Sequence, residues 1–211
     1  MQYLLEHFGV GVAAITGVLA ARGKRVDLFG VIVLALVTAF GGGTLRDLLV
    51  GDTPVVWMRD PNFLLNAGGV AVLTFFAARF YEVPRAVLLV ADAFALALFT
   101  MIGVQKALAF DVAPSIAIAM GVVTGVAGGI MRDLLTGEIP LVFRREIYLY
   151  ATAALCGAVV FVVMNGGMLG EHGAMIMSAG TTLVLRLAGI RWKLALPVFR
   201  HRDESNLGRG D

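Results

Sequence analysis

Two segments of the chain place glycines and an arginine–aspartate pair inside apolar sequence. Residues 38–54 read TAFGGGTLRDLLVGDTP, and residues 124–140 read TGVAGGIMRDLLTGEIP. Glycine weakens a helix by about 1 kcal/mol relative to alanine, so the glycine runs predict a kink or a short break. Carbonyls freed at such a break can replace part of a cation's hydration shell, although a tight helix crossing would also use glycine. The candidate residues are Gly41, Gly42, Gly43, Gly128 and Gly129.

Charged side chains follow the glycines in both segments. Arg46 precedes Asp47, and Arg132 precedes Asp133. Neighbouring residues on a helix point in different directions, so the sequence predicts that the members of each pair bind each other poorly. Charges inside a membrane face a bundle interior or water and have partners elsewhere. The pairs either cap freed carbonyls and hold the kink or act directly in an ion pathway.

The elements that carry these residues are predicted membrane spans. The 211 residues are 59% hydrophobic and 15% charged, with a mean hydropathy of +0.86, whereas soluble domains carry about 25% charged residues. We therefore predict an all-α integral membrane protein with a single transmembrane domain, residues 1–192, and a polar, disordered tail, residues 193–211. Seven apolar stretches approach the ~20 residues that cross a bilayer: Leu4–Ala21, Leu28–Val50, Asn62–Phe80, Ala86–Leu108, Val112–Leu135, Ile147–Gly166 and Gly173–Ile190.

The distribution of basic residues predicts the orientation of these spans. The N-terminus and the turns after spans two, four and six share one side of the membrane, with Arg46, Arg59 and Lys106. The other 14 of the 17 Lys and Arg residues fall on the opposite side. We expect an inner-membrane protein with its N-terminus outside and its C-terminus cytoplasmic, where basic residues meet anionic lipid headgroups. The net charge of +2 is too small to indicate a nucleic-acid partner.

The two glycine segments are copies of one another. They align without gaps at a separation of 86 residues, and nine of 17 positions are identical. The first copy lies in span two and the second in span five, so the copies cross the membrane in opposite directions. The sequence predicts an inverted repeat, residues 4–80 against 86–166, with a seventh helix, residues 173–192, appended. Such repeats with glycine-interrupted spans are typical of transport proteins, while duplicated helix packing is the alternative.

Three further charged residues are candidates for the same site. Glu6 and Asp92 occupy matched positions near the beginnings of spans one and four, where a carboxylate either caps a helix or attracts cations at a vestibule. Lys106 has Ala20 as its repeat partner, so it either extends to the interface or places an asymmetric charge in the pathway. No cluster of His, Cys and carboxylate residues has the spacing of a metal site. We therefore expect a protein that is not an enzyme and has no cofactor beyond a permeant ion or a bound lipid.

The segments GGGTLRDLLVGDTP and AGGIMRDLLTGEIP resemble those of a known family. The chain is similar over residues 4–192 to bacterial relatives of the trimeric intracellular cation channels, TRIC, also labelled glycine-transporter-domain proteins. The resemblance implies seven spans, a homotrimer, and a pore for K⁺ and Na⁺ in each protomer between helices two and five, which bend at the glycines. Lys106 resembles a basic residue in the family's fourth span. Ala127 stands where the first copy has Gly41, so the two bends are expected to be unequal.

The sequence thus predicts a monovalent cation channel. The alternative is a secondary transporter of a small zwitterion such as glycine, in which a helix N-terminus at the break would hold a carboxylate. A scaffold that transports nothing is disfavoured, because helix packing alone does not require buried charges.

Overall fold

The computed structural model describes residues 2–144, 149–167 and 170–193. Across these residues the chain forms eight α-helices and one short 3₁₀ helix, Leu141–Phe143. The predicted all-helical fold is therefore confirmed. The α-helices are α1 (Gln2–Ala21), α2 (Leu28–Val50), α3 (Val56–Arg59), α4 (Pro61–Phe80), α5 (Arg85–Ala109), α6 (Pro114–Leu135), α7 (Tyr150–Asn165) and α8 (Gly170–Trp192).

Six of these helices are long and apolar enough to cross a membrane, and α7 is a shorter apolar helix of 16 residues. The predicted start of span six, at Ile147, lies outside the described residues, and so do residues 194–211 of the predicted tail. The short helix α3 between spans two and three was not predicted. Large apolar side chains such as Leu73, Phe29 and Val184 are exposed on the outer faces of the helices, as contact with lipid requires.

Local sequence explains where the main helices begin and end. Asp27 accepts a hydrogen bond from the Gly30 amide at 2.8 Å and caps α2. Asp60 caps α4, where proline occupies the first helical position. After α2 and α6, Gly51 and Gly137 adopt φ of +77° and +70°, which is the left-handed conformation that favours glycine.

The helices form two similar three-helix units and one added helix. Helices α1, α2 and α4 pack together, as do α5, α6 and α7. Contacts of α2 with α6 and of α1 with α5 join the units, and α8 packs against α5 and α7. Apolar side chains fill one core within the first unit and others among α5 to α8. The charged residues of interest lie between these cores.

Candidate functional site

Helices α2 and α6 cross in close contact at the two glycine segments. A Cβ atom on Gly42 would lie 2.1 Å from the Thr124 carbonyl oxygen, and one on Gly128 would lie 2.3 Å from the Thr38 carbonyl oxygen. Each contact is the image of the other under the 86-residue repeat. Thr38 of α2 faces Gly128 of α6, and Gly42, four residues later on α2, faces Thr124, four residues earlier on α6. The two helices therefore run antiparallel. This geometry confirms the inverted repeat.

Of the kink or short break predicted at the glycines, the break is wrong. Helix α2 is continuous from Leu28 to Val50, and α6 is continuous from Pro114 to Leu135. The cost of glycine in a helix is offset here by close packing, because any side chain at Gly42 or Gly128 would collide with the facing backbone. The tight crossing that the sequence left as an alternative accounts for these two residues. The bend implied by the family resemblance stays a prediction.

The next glycine in each copy provides space for an arginine. A Cβ on Gly43 would lie 3.7 Å from Nη2 of Arg46, and a Cβ on Gly129 would lie 3.7 Å from Nη2 of Arg132. Each guanidinium therefore folds back over the glycine three residues earlier. At the remaining candidate, Gly41, a Cβ would lie 2.5 Å from the sulfur of Met131. The glycines thus have separate roles according to the helix face on which they lie.

The expectation that the adjacent arginine and aspartate side chains bind each other poorly is also wrong. Arg46 contacts Asp47 Oδ1 through Nε at 2.9 Å and Nη2 at 2.7 Å, and Arg132 Nε donates to Asp133 Oδ1 at 2.8 Å. The long arginine stem allows the guanidinium to curve beside the helix and reach the shorter aspartate. Arg46 is 4% exposed and Arg132 is 0% exposed, so both pairs are buried. Buried charges need such partners.

Each motif aspartate also holds the chain that follows its helix. Asp47 Oδ2 accepts a hydrogen bond from the Val56 amide at 3.2 Å, and Asp133 Oδ2 accepts one from the Leu141 amide at 2.7 Å. Between these points the chain turns at Gly51 or Gly137. The spacing of aspartate, glycine and proline in both copies therefore encodes a helix end and a return turn. Sequence reasoning missed this role, although the identical glycine and proline were its signal.

Lys106 bridges two carboxylates of the first repeat. Its Nζ lies 2.7 Å from Asp47 Oδ1 and 2.5 Å from Asp52 Oδ2, and its side chain is 13% exposed. Asp52 also pairs with Arg59. The hydrogen bond from Arg59, together with the charge of Lys106, lowers the pKa of Asp52. Lys106 therefore does not simply extend to the interface. It forms an ion pair with Asp47 of the first motif, and Ala20, the residue that matches Lys106, cannot form the equivalent pair with Asp133 of the second motif.

Asp92 is neither a helix cap nor a vestibule carboxylate. It is the eighth residue of α5 and is 3% exposed. Its Oδ1 accepts hydrogen bonds from Arg132 Nη1 at 2.9 Å and from the Tyr150 hydroxyl at 3.3 Å, and Arg186 Nη2 lies 3.7 Å from Oδ2. The prediction of a cap or vestibule carboxylate failed because hydropathy shows where a span starts, but it does not show how far a charged residue near that start is buried in the helix bundle. Its repeat partner Glu6 is partly exposed and accepts a hydrogen bond from Gln2 at 3.0 Å.

Three cavities follow one another through the interior. Their lining moves along α1 from Leu19 through Thr16 to Glu6, and at the same time along α5 from Leu89 through Asp92 to Ile102. The first cavity is about 350 Å³, the central cavity about 20 Å³ and the third about 40 Å³. The central cavity has room for about one water molecule, so it is the constriction.

The two Arg–Asp motifs stand on either side of this constriction. Arg132 lines the central cavity and Asp133 the first, while Arg46 and Asp47 line the third. This arrangement follows from the inverted repeat, which places the two pairs on opposite sides of the glycine crossing. The Nη2 atom of Arg132 has no hydrogen-bond partner among the described residues and is buried beside the central cavity.

The charged residues that line the first cavity are four basic ones, Arg22, Lys24, Arg85 and Arg144, and two acidic ones, Asp133 and Glu138. Lys24 donates to Glu138 at 2.6 Å and Arg144 donates to the same carboxylate at 3.1 Å. The hydrogen bond from Lys24 lowers the pKa of Glu138. The third cavity is lined by Glu6 and Trp57 in addition to its Arg–Asp motif. The cavities at the two ends of the row therefore each carry one glutamate.

Comparison with known proteins agrees with this architecture. A family model described as Glycine transporter matches residues 3–79 and again residues 89–166, so each repeat is one match. The inner membrane protein YadS of Escherichia coli K12, a UPF0126 protein, is 45% identical over 94% of this chain and 96% of its own length. A UPF0126 membrane protein of Vibrio cholerae is 44% identical over 94% of this chain and 83% of its own length.

A solved structure has the same fold. The TRIC trimeric intracellular cation channel orthologue from Rhodobacter sphaeroides superposes with a TM-score of 0.86 at 43% sequence identity, covering 92% of this chain and 98% of that one. These family and fold neighbours are channel or transporter membrane proteins and not enzymes. The chain therefore belongs to the family described as Glycine transporter and is a multi-pass membrane protein related to the TRIC channels.

Proposed function

We propose that the protein is a cation channel in which each protomer of a homotrimer conducts K⁺ or Na⁺ along the row of three cavities. The observation that carries this proposal is that the row passes through the crossing of the two inverted motifs. The pathway lies between α1, α2, α5 and α6. We further propose the bacterial inner membrane, with the N-terminus outside and the C-terminus cytoplasmic, and lipid as the surrounding partner.

The hydroxyl groups of the central cavity favour a cation over an anion. Thr16, Thr38 and Thr124 line this cavity. Each donates its hydroxyl proton to a carbonyl of its own helix, at 2.6–2.8 Å. Because the proton is used within the helix, the oxygen has only acceptor lone pairs left for a ligand. Oxygen acceptors are the groups that replace the hydration shell of K⁺ or Na⁺.

The conformation described here is closed. The central cavity has room for about one water molecule, which is too little for a hydrated ion, and the buried guanidinium of Arg132 lines it. Conduction therefore requires a movement of the motif side chains or of the crossing helices. In the third cavity Glu6 and Asp47 face one arginine, Arg46, and this excess of negative charge would raise the local concentration of cations there.

A carrier for a small zwitterion such as glycine is the second candidate, and the description of the family model favours it. A carrier of this kind binds the substrate carboxylate at the N-terminus of a broken helix. Helices α2 and α6 are continuous at the crossing and offer no such N-terminus. We therefore rank the channel first.

Recording from the purified protein in planar bilayers, under a K⁺ gradient, tests the proposal. We expect discrete unitary currents that reverse near the K⁺ equilibrium potential. Silent bilayers together with glycine uptake into proteoliposomes would contradict the channel and support the carrier.

A further inference from the structure

Arg186 is a charged residue in the interior of the one helix that lies outside the repeat. It is on α8 and is 0% exposed. A buried cation in a membrane span is costly and needs compensation from a nearby anion or an aromatic face. Both are present, since the guanidinium carbon lies 4.4 Å from the centre of the Tyr150 ring and Nη2 lies 3.7 Å from Asp92 Oδ2.

These contacts connect α8 with the second Arg–Asp motif. Asp92 lies between two arginines, because its other oxygen accepts a hydrogen bond from Arg132 at 2.9 Å. Tyr150 contacts the same carboxylate through its hydroxyl and Arg186 through its ring. The cluster is thus a continuous chain of contacts from α8 to the guanidinium of Arg132, which lines the central cavity.

The first motif also has one aspartate in contact with two cations, although the aspartate is Asp47 of the motif itself. There Asp47 lies between the motif arginine Arg46 and the added cation Lys106. The residue that matches Lys106 across the repeat is Ala20 of α1, which cannot supply a charge to the second motif. In the second repeat the carboxylate is Asp92, and the added cation comes from α8. In each half of the molecule, one buried carboxylate therefore contacts two cations.

We infer that Arg186 is a positioning residue of the second motif: the seventh membrane helix supplies the cation that balances Asp92, and through Asp92 it holds Arg132 over Gly129. This inference rests on the proposed function only where conduction is concerned. Without Arg186, Asp92 has one cation fewer beside the constriction. The excess negative charge would bind a permeating cation more tightly and slow its exit, because conduction requires weak binding.

The test compares Arg186→Met, Arg186→Lys, Asp92→Asn and the double variant Arg186→Met with Asp92→Asn. Arg191→Met, at an exposed position on the same helix, is the matched control. We expect Arg186→Met to lower the thermal unfolding midpoint in detergent by about 10 °C, since it leaves a buried charge uncompensated. The double variant should regain most of this loss, and Arg186→Lys and Arg191→Met should stay near the parent.

Unitary K⁺ conductance separates positioning from a purely structural contact. We expect conductance to fall in Arg186→Met and to return in the double variant, in which the charge is again balanced. Unchanged conductance in Arg186→Met, or a double variant no more stable than Arg186→Met, would overturn the inference. If the parent protein conducts no ions, the proposed function fails. The unfolding midpoints of the single and double variants would still show whether Arg186 on α8 balances the charge of Asp92.

Discussion

The aspartates of the two motifs each bind two different kinds of donor. One oxygen of Asp47 holds Arg46, and the other accepts the amide of Val56 beyond the helix end. Asp133 does the same with Arg132 and Leu141. A single residue thus fixes the arginine beside the constriction and the turn that follows the helix. An asparagine could keep the amide contact but would leave the arginine without its charge partner.

At the same scale, Lys106 lowers the negative potential around the third cavity. We predict that Lys106→Met increases unitary K⁺ conductance at low salt, because Asp47 and Asp52 lose one neutralising cation and attract more K⁺ to this end of the pathway. The increase should shrink at about 1 M KCl, where the Debye length is about 3 Å. The measurement is unitary conductance as a function of KCl concentration.

Arg79→Met is the control for this prediction, because Arg79 is an exposed cation in the last turn of α4. Replacing Arg79 with methionine changes the net charge of the protein by the same amount, but Arg79 does not line any of the three cavities. An equal increase in both variants would show that the effect is a general surface charge. No increase in Lys106→Met would contradict a pathway through the third cavity.

At the scale of helices, the crossing of α2 and α6 depends on two glycines with no room for a side chain. We predict that Gly42→Ala and Gly128→Ala each destabilise the protein by about 1–3 kcal/mol, since the new methyl group would collide with a backbone carbonyl at 2.1 or 2.3 Å. Thermal unfolding in detergent measures this loss. Leucine at these positions would separate the helices and is therefore a poor probe of conduction.

Gly68→Ala provides the matched control. Gly68 lies within helix α4, and a Cβ there would meet no atom within 4 Å. We expect a neutral effect or a small gain in stability, because alanine favours a helix over glycine. Equal midpoints for Gly42→Ala and Gly68→Ala would contradict the tight crossing.

Much of this element-scale arrangement could be predicted from the sequence. Hydropathy located α2 at its observed bounds, and the motif copies lie in spans two and five, an odd difference of three spans, which gave their opposite directions. The separate roles of Gly42 and Gly43 could not be predicted, because adjacent helical residues face different neighbours and only the fold determines those neighbours. The depth of Asp92 and its contact with Arg186 likewise depend on tertiary packing of distant helices.

At the scale of the whole molecule, two charge-balanced clusters enclose one narrow, hydroxyl-lined centre. The helices around it expose apolar side chains outward, and the charged residues of the two motifs, with Asp92 and Arg186, are buried. This division suits a membrane protein whose polar groups line an internal route. The central claim is that ions pass through the crossing of the inverted helices.

Thiol modification at the crossing tests this claim most directly. Thr38→Cys places a thiol at the central cavity, in a Cys156→Ser background because the native cysteine is exposed. Leu73→Cys, on an outward face, is the control. We predict that a cationic methanethiosulfonate reagent irreversibly reduces the unitary current of Thr38→Cys and leaves Leu73→Cys unchanged. Persistent full current in Thr38→Cys, with modification confirmed by mass spectrometry, would show that ions take another route.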